Sequence, residues 1–374
     1  MKQVSGISEI RNQPIQTYSI GFEGGKAEAV YNELPYARQV SEMFGTRHRE
    51  IVVRPDVVDL LPQLVWHMDE PIADSASITT YLVSRFARED VKVILSGVGG
   101  DELFGGYRRY LGDHYLSMLD RVPSGLVRAA TGIARHLPSD RHGRFSNYSR
   151  LARQFLESAE LSPDERYRSY VQVLAREKAC AMLLDPDRSG ADSLARAFEE
   201  ASSSDAVGRL FEIDAATQLP DDLLMLTDKM SMAVSLECRV PLLDQKLVEL
   251  ACAIPASMKI RNGRPKYLMK EALKTVLPDS ILRRKKRGFG TPMGAWLKGP
   301  LAGAVSALLS RESIERRGLF RYAEIERLVA DHGTSRIDGT DPLLALMNLE
   351  IWCRVFLDRQ SQSDVSEELA EKAA

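Results

Sequence analysis

The sequence predicts an α/β protein in which a small parallel sheet precedes a mostly helical region. Three short apolar runs indicate strands: TYSIGF (17–22), REIVV (49–53) and VKVILSG (91–97). Between the first two, apolar residues from Val30 to Phe44 fall at helical spacing. Strands that alternate with helices are typical of βαβ units, and these units build parallel sheets.

The remaining segments fix the predicted layout. Residues 56–68 and 78–88 have helical patterns, and beyond the third strand Leu, Ala, Arg and Glu replace the β-branched runs. We therefore expect a small α/β unit at 1–110 and a mostly helical part at 111–357. The polar end of the chain predicts a flexible tail at 358–374.

Composition excludes several classes of protein. Among 374 residues, 50 are Lys or Arg and 52 are Asp or Glu, so no basic excess points to nucleic acid. The four cysteines form no CxxC pair, which argues against a zinc site or a disulfide framework. No apolar run is long enough to span a bilayer, and MKQVSGISEI lacks the apolar region of a signal peptide. We expect a cytoplasmic protein with neither a membrane nor a nucleic-acid partner.

A glycine-rich loop, LSGVGGDELFGGY (95–107), follows the third strand. Ligands of open α/β sheets bind at the carboxyl ends of strands, and glycines let backbone N–H groups approach phosphate oxygens. A carboxylate beside a phosphate makes sense when Mg²⁺ lies between them. The loop therefore predicts a nucleotide–Mg²⁺ site with Asp101 as a ligand. The alternative is a tight turn whose acidic residues cap the next helix. The loop sequence alone does not distinguish this turn from a nucleotide site.

Four blocks of sequence together resemble the synthetase domain of glutamine-hydrolysing asparagine synthetases, from about Thr17 to about Phe356. The blocks are LSGVGGDELFGGYRRY (95–110), HMDEPIADSASITTYLVSRFARE (67–89), DDLLMLTDKMSMAVSLECRVPLLDQKLVELA (221–251) and GRPKYLMKEALKTVLPDSILRRKKRGFGTPMGAWL (263–297). Their shared order and spacing make the resemblance specific.

The resemblance implies a fold and a reaction. The fold would be a parallel sheet of the ATP-pyrophosphatase type, also described as adenine nucleotide α-hydrolase-like, followed by helices. The reaction would use ATP and Mg²⁺. A substrate carboxylate, aspartate in the best-known members, attacks the α-phosphorus of ATP to form an acyl-adenylate and pyrophosphate. Ammonia then displaces AMP and forms the amide.

The resemblance also implies roles for five residues. Ile20 would lie on a strand against the nucleotide base, and Ser96 and Gly97 would contact ATP. Asp101 would bind Mg²⁺ and take part in catalysis. Lys266, in GRPKYLMK, would be a catalytic lysine whose compact ammonium stabilises charge on the reacting groups.

Other charged residues in the matched blocks have structural interpretations. Asp69 and Glu70 precede a proline and are expected to end a helix, whereas the role of Asp74 stays open. Arg239 and Asp244, in CRVPLLD, are expected to be buried partners that order a wall of the site.

A run of five basic residues, RRKKR (283–287), has three interpretations. The first is a loop that closes over the phosphates, the second a solvated loop, and the third a nucleic-acid contact. The resemblance favours closure.

The sequence departs from the family in three places. Lys2 stands where the family's glutaminase domain carries its nucleophilic cysteine, and that domain has no counterpart here. The SGGxDS loop and the strand before it, central in the family's sheet, are also missing, since VSGIS (4–8) is only a superficial echo. Val98 occupies a position that is often acidic in asparagine synthetases and a tyrosine in β-lactam synthetases. Valine can neither move a proton nor form a side-chain hydrogen bond there.

The sequence therefore predicts an asparagine synthetase-like domain that is truncated at its N-terminus and inactive alone. The truncation falls inside a folding unit rather than at a linker between domains, which favours the interpretation that the sequence is a fragment. The alternative is a genuine short protein. The partners would be ATP, a carboxylate substrate such as aspartate, and ammonia made elsewhere, with a homodimer left open. Two other functions remain: an ATP-dependent amide ligase acting on a peptide, glycan or secondary metabolite, and a non-catalytic interaction module.

Overall fold

A computed structural model provides the fold. The residues it describes are 14–25, 28, 31–54, 57–119, 124–134, 152, 155–159, 161–188, 192–284, 288 and 290–373.

The first part of the chain alternates strands with helices, as the apolar pattern predicts. Its elements are β1 (Gln16–Phe22), α1 (Leu34–Phe44), β2 (Arg47–Val53), a 3₁₀ turn (Val58–Leu60), α2 (Leu61–Met68), α3 (Ala76–Arg88), β3 (Val93–Leu95) and α4 (Gly100–Phe104).

Parallel strand pairing is confirmed, but the described residues form two separate pairs rather than one sheet. β1 pairs with β2 in parallel, with Ile20 opposite Ile51. β3 pairs in parallel with β4 (Glu237–Arg239), a short strand that arrives from the helical part of the chain. No ladder joins the two pairs in the described residues. The side chain of Leu95 is 70% exposed, so β3 has an open apolar surface.

The rest of the described chain is helical. The helices are α5 (Arg108–Leu119), α6 (Ser124–Ala134), α7 (Pro163–Val171), α8 (Arg176–Met182), α9 (Ala195–Glu200), α10 (Ala206–Ala216), α11 (Met225–Met232), α12 (Gln245–Ala253), α13 (Ala256–Lys259), α14 (Tyr267–Ala272), α15 (Asp279–Leu282), α16 (Met293–Trp296), α17 (Ala302–Leu308), α18 (Arg311–Arg317), α19 (Tyr322–Gly333), α20 (Thr340–Trp352) and α21 (Gln362–Ala373). Short 3₁₀ segments lie at Pro186–Arg188 and Pro241–Leu243, and π-helical segments at Leu219–Leu224 and Cys353–Leu357.

The end of α2 shows how local sequence sets an element boundary. Asp69 adopts the left-handed conformation with φ 65°, and its N–H donates to the carbonyl of Val65. Pro71 follows two residues later and disfavours a helical residue before it. The expectation that Asp69 and Glu70 end a helix is therefore confirmed.

The largest apolar core draws on both predicted parts of the chain. It joins β1, β2, α2 and α3 to α16, α17, α19 and α20, with Trp296 and Ile351 almost fully buried. The expected flexible tail is wrong for residues Gln362–Ala373, because this segment is a helix that buries Val365 and Leu369 in the same core. The i,i+4 spacing places both apolar residues on one face of the helix, and Glu368 adds an ion pair with Arg354.

Over the part of the chain that the structure describes, no helix combines the length and the apolar character needed to cross a membrane.

Candidate active site

The glycine loop after β3 is held in position by backbone geometry. The N–H of Ser96 donates to the carbonyl of Arg239 at 2.8 Å, which extends the β3–β4 pairing by one step. Gly99 has φ 91°, and a Cβ at this position would lie 2.4 Å from Cδ2 of Leu243. Only glycine fits both constraints without strain. The loop then turns directly into α4, which places Asp101 in its first turn.

Asp101 and Lys266, the two residues predicted to be catalytic, form an ion pair. Lys266 Nζ lies 2.9 Å from Oδ1 of Asp101, and the two side chains are 25% and 18% exposed. The backbone N–H of Lys266 also donates to the carbonyl of Gly105 at 3.3 Å. Lys266 itself has φ 53°, an uncommon conformation for a residue with a Cβ. The pair therefore forms a partly solvated cation–anion centre whose lysine has a constrained backbone.

Gly106 lies against this ion pair. A Cβ built on it would be 1.7 Å from Oδ1 of Asp101 and 2.4 Å from Cε of Lys266. The motif GG at 105–106 thus has two physical roles. Gly105 adopts φ 72° to end α4, and Gly106 leaves room for the two charged side chains.

Replacing Gly106 with alanine is expected to separate Asp101 from Lys266, because the new methyl group occupies the space between them. We expect the free energy of unfolding to fall by about 1–3 kcal/mol, the usual cost of overpacking. Chemical denaturation would measure it. Gly333→Ala is the matched control, since a Cβ there meets nothing within 4 Å. Equal stabilities of the two variants would contradict this description of Gly106.

The predicted nucleotide-binding residues are only partly brought together. Ser96 and Gly97 lie on the same loop as Asp101, and Gly97 is exposed with open space where a Cβ would stand. Ile20 lies on a strand, as expected, but its side chain is 8% exposed and belongs to the main apolar core. Its strand pair shares no hydrogen bond ladder with β3 in the described residues.

A buried network behind the loop was not anticipated from the sequence. Glu102 is 2% exposed and accepts a hydrogen bond from the hydroxyl of Tyr107. Burial and the charge of Glu102 raise the pKa of Tyr107, so the phenol stays a donor. The guanidinium carbon of Arg109 lies 4.1 Å from the centre of the Tyr107 ring. These contacts fix the chain on both sides of Gly106.

Arg109 connects this loop to a fully buried carboxylate, Asp214. Its Nε and Nη2 donate to Oδ2 of Asp214 at 3.0 and 2.8 Å. Tyr167 donates to Oδ1 at 2.6 Å, and Tyr110 donates to Oδ2. Burial and the Asp214 charge raise the pKa of both tyrosines. Asp214 therefore ties α5, α7 and α10 together immediately after the glycine loop. The only signal in the sequence was the unexplained aromatic and basic run YRRY.

The charge of the Asp74 carboxyl group influences a second carboxyl group, that of Asp222. The role of Asp74 was left open by the sequence. Burial and the negative charge of Asp74 raise the pKa of Asp222 to about 7. Burial also raises the pKa of Asp74, whose Oδ1 accepts a hydrogen bond from the N–H of Ala76. Next to it, Ser75 Oγ accepts from the N–H of Thr291, in the segment that follows the basic run.

The structure corrects the expectation for Arg239 and Asp244. Arg239 is 65% exposed and pairs with Glu237 on the same strand. Asp244 is also exposed, and it caps α12 by accepting a hydrogen bond from the N–H of Lys246 at 3.1 Å. Neither residue is a buried partner, because the strand end and the helix start both lie at the surface.

The basic run is described only at its beginning. Arg283 pairs with Asp279, and Arg284 pairs with Glu33 and stacks 3.7 Å from the centre of the Tyr36 ring. Residues 285–287 lie outside the described residues, and closure over phosphates stays a prediction.

No group of three or more His, Cys, Asp or Glu side chains that could hold a metal ion occurs among the described residues. A Mg²⁺ ion at Asp101 would therefore rely on few protein ligands, as is usual when phosphate oxygens and water complete the coordination shell.

Comparisons with known proteins agree with the quoted sequence blocks. Residues 4–354 match the family model described as asparagine synthase. The chain is 30% identical over 349 residues to glutamine-hydrolyzing asparagine synthetase 1 of Bacillus subtilis (strain 168), covering 92% of this chain and 53% of that protein. It is 33% identical over 365 residues to a putative glutamine-hydrolyzing asparagine synthetase of Mycobacterium tuberculosis, covering 96% and 53%.

A more distant relative has a different name. Amidase chyE of Penicillium rubens is 26% identical over 292 residues, covering 71% of this chain and 42% of the amidase. The chain spans about half the length of these curated asparagine synthetases.

Proposed function

Because the chain belongs to the asparagine synthase family, we propose that it is the synthetase region of an ATP-dependent amide-forming enzyme whose reaction centre is the Asp101–Lys266 pair. The observation that carries the proposal is that these two residues, distant in sequence, meet at 2.9 Å beside a glycine loop. A glycine loop with an adjacent cation and carboxylate suits the phosphates of a nucleotide.

The proposed reaction has two steps. An oxygen of the substrate carboxylate attacks the α-phosphorus of ATP, and the bond to the leaving pyrophosphate breaks. The nitrogen of ammonia then attacks the acyl carbon of the adenylate, AMP leaves with the bonding electrons, and the nitrogen loses a proton to give the amide. The names of the relatives suggest aspartate as the acceptor and glutamine as the source of ammonia. We place the glutaminase step outside this chain.

Lys266 and Asp101 have distinct roles in this proposal. The ammonium of Lys266 would stabilise negative charge on the phosphates as the carboxylate attacks. Asp101 is 18% exposed and is oriented by Lys266, so it fits a role as a Mg²⁺ ligand. Mg²⁺, when bound, would neutralise phosphate charge. Ser96 and Gly97 would hold the nucleotide through the exposed backbone of the loop.

We further propose that the two strand pairs belong to one sheet of the ATP-pyrophosphatase type, with a further strand between β1 and β3. In that arrangement Ile20 would come near the base of ATP. Among the described residues β3 pairs with β4 alone, so its other edge is open, which supports the idea that β3 has a second neighbour when the sheet is whole. The isolated chain should therefore show little or no turnover, and ligand binding is the better readout.

The proposal is tested by Mg²⁺-dependent ATP binding to the purified chain. Lys266→Met and Asp101→Asn should each weaken binding by about tenfold or more, because each removes a charged contact worth about 1.5–3 kcal/mol. Lys274→Met is the matched control, since Lys274 is exposed and pairs only with Glu271 in the described residues. Absence of ATP binding, or equal affinities for Lys266→Met and Lys274→Met, would reject the proposed site and favour a non-catalytic module.

A second candidate is an amide ligase with another acceptor, and Val98 favours it. The loop places this apolar side chain between Ser96 and the start of α4. An apolar residue there cannot hold the ammonium or the proton that an acidic residue could. A panel of carboxylates, assayed with ATP and ammonium in an active whole protein, separates the two: pyrophosphate release with aspartate favours the first candidate.

A further inference from the structure

A concave surface lies next to the segment that carries Lys266. Its cavity measures about 590 Å³, within the range of ligand sites of small molecules. The walls come from α5, α13, the 260–264 turn and the start of α14. The lining residues that matter here are Tyr115, Met258, Arg261, Gly263 and Tyr267. Neither Asp101 nor Lys266 lines it, so it is separate from the proposed reaction centre.

The apolar lining is unusually open to solvent. Tyr115 is 43% exposed and Met258 is 47% exposed, although both face a concave surface. Large apolar side chains gain free energy when a ligand covers them, at about 25 cal/mol per Å². Tyr115 also closes tightly on the turn, because a Cβ at Gly263 would lie 2.1 Å from its Oη. The surface is thus formed before any ligand arrives.

The described lining includes the guanidinium of Arg261, and no Asp or Glu is among its described residues. The guanidinium carbon of Arg261 lies 5.5 Å from the centre of the Tyr267 ring, which places the cation beside an aromatic wall. Arg261 is therefore the group of the described lining that can pair with an anion.

The cavity is connected to Lys266 through a strained turn. Arg261 and Arg264 form an antiparallel bridge, with Asn262 at φ 51° and Gly263 at φ 68° between them. Lys266 follows at φ 53°. Left-handed residues with a Cβ are less stable than right-handed ones and persist when the surroundings hold them. A ligand against the turn would help to hold this conformation.

We propose that this surface binds a small planar aromatic molecule bearing a carboxylate, with Arg261 pairing with the carboxylate and Tyr115, Tyr267 and Met258 covering the ring. Bound ligand restrains the turn and thereby the backbone of Lys266. The site is a regulatory one because the turn continues into Lys266, and this role rests on the proposed function of Lys266.

Binding of 2-naphthoate and its neutral analogue 2-naphthamide to the full chain tests the charge requirement, with titrations followed by ligand-observed NMR. We expect 2-naphthoate to bind at least about tenfold more tightly, the effect of one charge-assisted contact. Arg261→Gln should remove this preference and leave 2-naphthamide unchanged. Arg264→Gln is the matched control, because Arg264 lies on the same turn and does not line the cavity.

Three results would overturn the proposal: no binding of 2-naphthoate at millimolar concentration, equal binding of both probes, or equal losses in Arg261→Gln and Arg264→Gln. Hydrogen exchange tests the connection to Lys266 independently. Saturating 2-naphthoate should slow exchange across residues 260–268, including the N–H of Lys266, which donates to Gly105. Unchanged exchange there with binding intact would refute the regulatory role.

Discussion

Replacing Asp214 with alanine is expected to lower the free energy of unfolding by about 3–5 kcal/mol, the cost of breaking a buried ion pair by removing one partner. Asp214 is fully buried, and its two oxygens accept hydrogen bonds from Arg109, Tyr110 and Tyr167. Without the carboxylate, both hydroxyls lose this acceptor in the interior, and the guanidinium of Arg109 keeps only its hydrogen bond to Gln218 among the described residues. Each buried donor left without a hydrogen bond acceptor adds its own desolvation cost.

The control for this variant is Asp192→Ala. Asp192 also pairs with an arginine, Arg168, but their side chains are 37% and 33% exposed. Exposed pairs are worth about 0–1 kcal/mol, so this change should be nearly neutral. Urea denaturation of the two variants and the parent measures the difference. A loss in Asp214→Ala no larger than that in Asp192→Ala would show that the buried network does not stabilise the fold.

The Asp214 network also explains why the candidate site depends on a distant helix. α5 begins right after the glycine loop, and its Arg109 joins the loop residue Tyr107 to Asp214 on α10. A loop that must hold Asp101 beside Lys266 cannot rely on its glycines, because glycine has the largest conformational entropy to lose on folding. The rigid support comes from the network behind it.

Sequence patterns predicted the local elements well. β1, β2, α2 and α3 appear where short apolar runs and helical spacing place them, because these patterns depend on neighbours along the chain. The resemblance singled out Asp101 and Lys266 individually, and their roles stay predictions. Their direct contact could not be predicted, since it depends on how the 260–264 turn packs against Gly105.

The features that sequence patterns did not predict depend on contacts between distant parts of the chain. The acceptor Asp214 and the donors Arg109 and Tyr167 come from three helices, and no spacing rule connects them. The C-terminal helix α21 has a polar sequence, and its contacts are spread over distant parts of the chain: Val365 and Leu369 are buried in the main core, and Glu368 pairs with Arg354. The separation of the two strand pairs is a property of pairing between distant segments, which a run of apolar residues does not report.

Replacing Asp222 with asparagine is expected to remove a loss of stability that the parent protein shows between pH 5 and pH 8. The variant should therefore gain stability relative to the parent as the pH rises. Burial, with the charge of Asp74, raises the pKa of Asp222 to about 7, whereas an unfolded aspartate titrates near 3.9. Between these values the folded state holds a proton that the unfolded state lacks. Stability therefore falls as pH rises through this window and levels off above about pH 7.

The size of this effect follows from the window. One proton contributes about 1.4 kcal/mol per pH unit, so the parent should lose about 2 kcal/mol between pH 5 and pH 8 after allowance for partial exposure. Asp222→Asn has no such proton and avoids this loss. Oδ1 of Asp222 is buried without a hydrogen bond partner in the described residues, so no contact is sacrificed at that atom. Urea denaturation at both pH values measures the difference between variant and parent.

Two further variants separate the causes of this shift. Asp221→Asn changes the exposed neighbour and should leave the pH dependence of stability unchanged. Asp74→Asn removes the nearby charge, so it should shrink the pH dependence without abolishing it, because burial is the larger cause. If Asp222→Asn keeps the full loss of stability between pH 5 and pH 8, the proton resides elsewhere. Asp74 is then the group to examine, because burial raises its pKa as well.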